Sequence, residues 1–267
     1  MRRPLSRWTA LGRVLALPVA FVLAGMGGCG AGGPEAGSAE AAGGADAREV
    51  TVFAAASLTG AFTELGEVFE AAHPGTTVRF NFGSSATLAQ QIVQGAPADV
   101  FAAASPATMK TVTDATAAGS PTTFARNRLR IAVPPDNPAR VDELKDLTGP
   151  EVKVALCAEQ VPCGAAAVKA LEAAGLKVTP VTLEQDVKAT LTKVQLGEVD
   201  AALVYETDVI AAAGKVTGIA FPEADLAVND YPIATLAGAG DPARRFVDLV
   251  LSQQGRDVLA EAGFGIP

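Results

Sequence analysis

Two runs of alternating apolar positions each lead through a serine into a helical pattern. Val50, Val52 and Ala54 alternate ahead of Ser57, and Val78, Phe80 and Phe82 alternate ahead of Ser84 and Ser85. After Ser57 the apolar residues fall at Leu58, Ala61, Phe62, Leu65, Val68, Phe69 and Ala72, one helix face held for about four turns. Continued along the chain, the same reading predicts strands over 50–54, 77–82, 99–103, 129–133, 152–156, 178–181, 201–205 and 233–236. It predicts helices over 58–72, 86–94, 106–118, 164–174, 187–196 and 246–262. Gly175 and Gly197 stand just past two of these helices, where glycine ends a helix without strain. Such alternation of strand and helix indicates an α/β protein with mostly parallel sheets.

A strand that ends in a serine at a helix start offers a hydroxyl beside backbone N–H groups that have no partner in the helix. The positive end of the helix dipole lies at the same place, so the turn attracts anions. Plain N-capping explains one such turn; two within thirty residues point to a cleft. Three further segments share the placement beyond strand ends where open α/β sheets bind ligands: Val161-Pro162-Cys163-Gly164, Glu184-Gln185-Asp186-Val187, and the strand that closes on Tyr205.

The first residues stand apart from this pattern. Arg2, Arg3, Arg7 and Arg13 precede an apolar run from Val14 to Met26 and then Gly27-Gly28-Cys29, which together read as an export signal over 1–28. The apolar run is too short for a stable bilayer span. The small residues before Cys29 resemble a bacterial lipobox, with Met26 where leucine is usual, so Cys29 is the expected lipid-modified first residue. Residues 29–48 are mostly Ala, Gly, Glu and Ser without an aromatic, the composition of a flexible tether. About 220 residues remain, enough for one large domain or two lobes.

Charge narrows the range of partners. Removal of the signal leaves 17 Lys and Arg against 29 Asp and Glu, a formal −12. Nucleic acid binding needs clustered basic residues, and they are missing here. An anion would have to be held by local dipoles and hydrogen bonds against a repulsive long-range field. With Cys29 spoken for, Cys157 and Cys163 form an even pair, which in an exported chain favours a disulfide over metal ligation. His73, the sole histidine, lies before Pro74 at a helix end and reads as a solvated cap.

Taken in order, several segments resemble the molybdate-binding proteins of bacterial ABC importers across nearly all of the mature chain. They are Val52-Phe53-Ala54-Ala55-Ala56-Ser57-Leu58-Thr59, Phe82-Gly83-Ser84-Ser85 with Thr87-Leu88-Ala89, and Gly95-Ala96-Pro97-Ala98-Asp99-Val100-Phe101. Val161-Pro162-Cys163-Gly164, Asp186-Val187, Val204-Tyr205 with Asp208, and Tyr231-Pro232-Ile233-Ala234 complete the set. The resemblance implies a two-lobed type II periplasmic-binding-protein fold, each lobe a mostly parallel sheet flanked by helices. Lobe I would comprise 49–126 and 237–267, and lobe II 127–236 with the hinge crossings near 127–133 and 231–236. It also implies an oxyanion held between the lobes by Ser57, Ser85, the N–H of Cys163, the N–H of Val187 and the phenol of Tyr205. Those residues would hold molybdenum only as its oxyanion, molybdate or tungstate, with no cofactor. The implied partner is the permease of a molybdate ABC importer, with the receptor a monomer lipid-anchored through Cys29 to the outer face of the cytoplasmic membrane.

The residues admit two competing readings. A serine hydrolase built on Ser57 or Ser85 fails for want of a base, because His73 lies about 24 Å along the helix from Ser57. Neither serine carries the Gly-x-Ser-x-Gly or Ser-x-x-Lys surroundings of a nucleophile. A receptor for another tetrahedral oxyanion such as sulfate remains the alternative, since sequence does not measure a cavity. Asp186 bears on it as well: a carboxylate there could accept from a protonated anion or simply cap the following helix.

Overall fold

A computed structural model describes residues 48–116 and 118–267. The expected signal, tether and Cys29 lie outside the described residues, except that Arg48 already belongs to the first strand. The elements run β1 (Arg48–Ala55), a 3-10 turn (Ala56–Leu58), α1 (Thr59–Ala72), β2 (Thr76–Gly83), α2 (Ser85–Val93), β3 (Val100–Ala102), α3 (Pro106–Ala115), β4 (Thr122–Asn127) and β5 (Leu129–Val133). After a 3-10 turn (Leu144–Thr148) follow β6 (Val154–Cys157), α4 (Pro162–Ala173), β7 (Thr182–Glu184), α5 (Val187–Gln195), β8 (Ala201–Tyr205), α6 (Glu206–Ala211) and β9 (Thr217–Ile219). A third 3-10 turn (Pro222–Leu226), β10 (Asn229–Thr235), α7 (Asp241–Leu251) and α8 (Gln253–Glu261) complete the chain.

The strands form two five-stranded sheets in the orders β2-β1-β3-β10-β4 and β7-β6-β8-β5-β9. In each, three strands pair in parallel and a single reversed strand, β10 or β5, lies between the third and the last. This is the two-lobed type II α/β arrangement, with the same topology in both halves. The cores differ in grain. The first is aromatic: Phe62 meets Phe124 at 5.7 Å and Phe246 at 6.0 Å between ring centroids. The second is aliphatic, with small side chains, Ala155, Ala166, Ala167, Ala170, Ala201 and Ala202, among its valines and leucines on β6, α4 and β8.

The hinge differs from expectation at one crossing. Only Arg128 separates β4 in the first sheet from β5 in the second, within the expected region. The return crossing lies at 227–228, because β10 pairs with β3 and β4 over its whole length. Residues 231–236, expected to cross, are therefore mostly a strand of the first sheet. Pro232 hid this by interrupting the apolar run, and it sits where the β10–β4 register shifts, a place that tolerates a missing N–H.

Other differences have similarly local causes. The strand expected over 178–181 forms instead as β7, downstream of Pro180; it is a sheet edge, with Leu183 53% exposed, so alternation is weak there. The single helix expected over 246–262 is two helices broken at Ser252, whose Oγ accepts from Gly255 N–H at 3.2 Å. β4, β9 and α6 are short and carry no periodic pattern, which is why they escape prediction. The helix stops hold: Gly175 and Gly197 have φ of 65° and 68°. His73 caps α1 with Nδ1 2.9 Å from Phe69 O, its ring stacked on Phe69.

Candidate anion site between the two sheets

The five segments that carry the candidate ligands end at one place. Ser57 follows β1, Ser85 opens α2 after β2, Cys163 lies in the first turn of α4 after β6, Val187 opens α5 after β7, and Tyr205 ends β8. All five line one small cavity together with Ser84, Ala104 and Asp186. Its free space is about 20 Å³ counted at the centre of a water-sized sphere, somewhat more than one water requires. Ser57, Ser85, Cys163, Val187 and Tyr205 are each at most 7% exposed.

The hydrogen bonds behind the cavity set the direction of its hydroxyls. Ala104 N–H donates to Ser85 Oγ at 3.0 Å, and the Asn229 amide donates to Tyr205 Oη at 2.7 Å. Ser57 Oγ lies 2.9 Å from Tyr231 Oη, which itself receives the Asn127 amide at 3.5 Å, leaving the Tyr231 proton for Ser57. Each of the three hydroxyl oxygens thus has a donor behind it, and its own proton is left to point forward. Burial raises both tyrosines well above the ordinary phenol range, with the Asp208 charge adding to the effect, so both stay protonated donors.

Backbone donors complete the set. Pro162 occupies the first position of α4 and has no N–H to lose, so the Cys163 N–H comes first in line. Asp186 caps α5 by accepting from Ala189 N–H at 2.9 Å, which leaves the Val187 N–H unused within the helix. The capping reading of Asp186 is therefore the one the geometry supports. Among the described residues around the cavity there is no lysine, arginine or histidine, so the positive potential is that of helix ends and N–H groups.

Sequence reasoning missed the supporting layer. Asn229 and Tyr231 alternate on one face of β10, and their amide and phenol reach opposite lobes of the site. The Asn229 amide also donates to Ala104 O at 3.0 Å, beside the N–H that holds Ser85. A period of two on a strand next to the hinge was the available signal, obscured by the misplaced crossing.

Cys157 ends β6 and Cys163 enters α4, and the two are joined by a disulfide with Cα atoms 5.8 Å apart. Cys157 Sγ also lies 3.3 Å from Thr190 Oγ1 on α5, so the bridge packs against the second backbone donor's helix. A loop this short gains about 2 kcal/mol of stability on the chain-entropy account. Alkylation of the exported protein without reductant is expected to label neither cysteine. Two labelled thiols by mass spectrometry would contradict the bridge.

Asp208 is fully buried behind Tyr205, whose N–H it accepts at 3.1 Å, while Lys188 Nζ stands 3.2 Å from its other oxygen. Burial pushes the carboxyl up to about 6, with Lys188 opposing and Asp186 reinforcing the rise. A raised carboxyl favours folding fully below about pH 4, and that contribution is lost as pH rises through 6. Asp208→Asn keeps an acceptor for Tyr205 and removes the titration. Its stability relative to the parent should rise by up to about 3 kcal/mol between pH 4 and 7, read by denaturant unfolding at each pH. A constant difference across that range would contradict the assignment.

The family described as bacterial extracellular solute-binding protein matches residues 50–265, and the chain belongs to it. It is a binding protein and not an enzyme. The molybdate-binding protein ModA of Mycobacterium tuberculosis is 43% identical over 264 residues, covering 98% of this chain and 100% of that one. ModA of Escherichia coli is 32% identical over 238 residues, 83% of this chain and 91% of its own. Among solved structures, the periplasmic molybdate-binding protein of Azotobacter vinelandii superposes with a TM-score of 0.70 at 23% identity, covering 82% of this chain and 99% of that one. The sulfate-binding protein SubI of M. tuberculosis also reaches 0.70 at 18% identity, covering 82% and 87%; at such identities both speak for the fold alone.

Proposed function

We propose that this protein is an extracytoplasmic receptor that captures molybdate, and tungstate with it, and delivers the anion to the permease of an ABC importer. In the mature protein Cys29 would carry the lipid that holds it to the outer face of the cytoplasmic membrane. The observation that carries the reading is the convergence of three back-bonded hydroxyls, from Ser57, Ser85 and Tyr205, with the N–H groups of Cys163 and Val187 on one buried cavity. Molybdate and tungstate are unprotonated dianions near neutral pH, so a matching site offers donors only. Protonated phosphate would need an acceptor aimed at its hydroxyl; the nearby carboxylate, Asp186, has Oδ1 turned to the Ala189 N–H of α5, so only its second oxygen could serve. The names of the full-length relatives support the same ligand.

Hydrogen bonds to a charged group contribute about 1.5–3 kcal/mol each. Five of them hold a dianion without a counter-cation even after the cost of ordering and lobe closure is subtracted. Ser57→Ala and Ser85→Ala should therefore each weaken molybdate binding by about 1–3 kcal/mol in calorimetric titration. Unchanged affinity in both variants would take the two serine turns out of the site.

A further inference from the structure

One serine in the cavity wall differs from Ser57 and Ser85. Ser84 lines the same space, the residue is only 7% exposed, and its Oγ has no hydrogen-bond partner among the described residues. It stands at the N-cap of α2, where a serine ordinarily turns its hydroxyl back to accept an N–H of the first turn. Here the side chain makes no such bond, so the cap is declined and the first N–H groups of α2 also stay free. A buried hydroxyl without a partner lowers stability, and folded proteins keep few of them. Those that persist call for a reason.

We infer that Ser84 is a further ligand of the anion, its hydroxyl donating to an oxygen on the α2 side of the cavity beside that held by Ser85. The inference rests on the oxyanion reading above. Ser84 and Ser85 are consecutive, one before and one at the first residue of α2, so two hydroxyls and the helix N-terminus meet one edge of the ion. Ser85 Oγ is fixed from behind by Ala104 N–H; Ser84 Oγ is not, and its orientation is set when the anion arrives. Ser84 is thus a ligand whose contribution is absent from the empty protein. Removing it should cost affinity and leave the ligand-free fold as stable as before or more so.

The test compares the parent chain with Ser84→Ala, titrating each calorimetrically with molybdate, tungstate and sulfate and melting each without ligand. The expected result is a loss of about tenfold to a hundredfold in affinity for the anion the parent binds, with a ligand-free melting temperature equal or higher. Equal affinity in the two proteins overturns the inference. A lower ligand-free melting temperature with affinity unchanged overturns it too, since the hydroxyl would then serve the fold. If the parent binds sulfate and neither molybdate nor tungstate, the functional reading falls and the Ser84 comparison is decided with sulfate. If the parent binds none of the three, both fall together.

Discussion

Val187→Pro is expected to lower molybdate affinity by about tenfold to a hundredfold while leaving α5 in place. Proline at the first position of a helix removes an N–H that the helix does not use, and its ring fits the backbone there. The preceding residue, Asp186, already has φ −155° and ψ 171°, an extended conformation that a following proline tolerates. The chain uses the same solution at α4, where Pro162 follows the extended Val161. The substitution therefore deletes one proposed donor of the site and keeps the geometry around it. Val187 is 3% exposed in the second core, so some stability is lost with its side chain. Val187→Ala separates the two effects: it trims the same packing, keeps the N–H, and should bind molybdate nearly as the parent does. Calorimetric titration of the three proteins reads both. Equal losses in the proline and alanine variants would show that packing, and not the N–H, carries the effect.

Gly164→Ala should be the most damaging single substitution near the site. A Cβ there would stand 1.9 Å from Ala158 O and 2.8 Å from Cys157 O. These are backbone atoms, so no rotamer change relieves the clash, and the loop 158–161 has to move away from α4. The disulfide between Cys157 and Cys163 resists that movement at both ends of the loop. Overpacking of this kind costs about 3 kcal/mol or more, which for a domain of this size lowers the melting temperature by roughly 10 °C. Anion affinity should fall as well, because any relief displaces the Cys163 N–H. A thermal melt and a molybdate titration check the two parts, and parental values in both would contradict the close approach.

Much of the site was legible because its chemistry sits on periodic elements. Ser57, Ser85, Cys163, Val187 and Tyr205 each stand where a strand pattern gives way to a helical one, and the fold gathers those points at a single cavity. The supporting layer was less legible. Asn127 lies at the end of β4, a strand with little alternation, and Asn229 opens β10 where the crossing was misplaced; each acts through a partner distant in sequence, Asn127 on Tyr231 and Asn229 on Tyr205. A side chain's direction of donation depends on what lies behind it, and no spacing rule reports that. Ser84 and Ser85 make the same point, since one hydroxyl is held from behind by Ala104 and its neighbour is not. The elements that escaped, α6 and β9, are short, and their placement is decided by pairing and packing across the second lobe.

Selectivity of the site is the central matter, and calorimetric titration of the mature protein at neutral pH with molybdate, tungstate, sulfate and phosphate addresses it most directly. A donor-only cavity built for an unprotonated tetrahedral dianion predicts saturable one-to-one binding of molybdate and tungstate, with sulfate weaker and phosphate weaker still. Tight binding of sulfate or phosphate with no heat from molybdate and tungstate would contradict it.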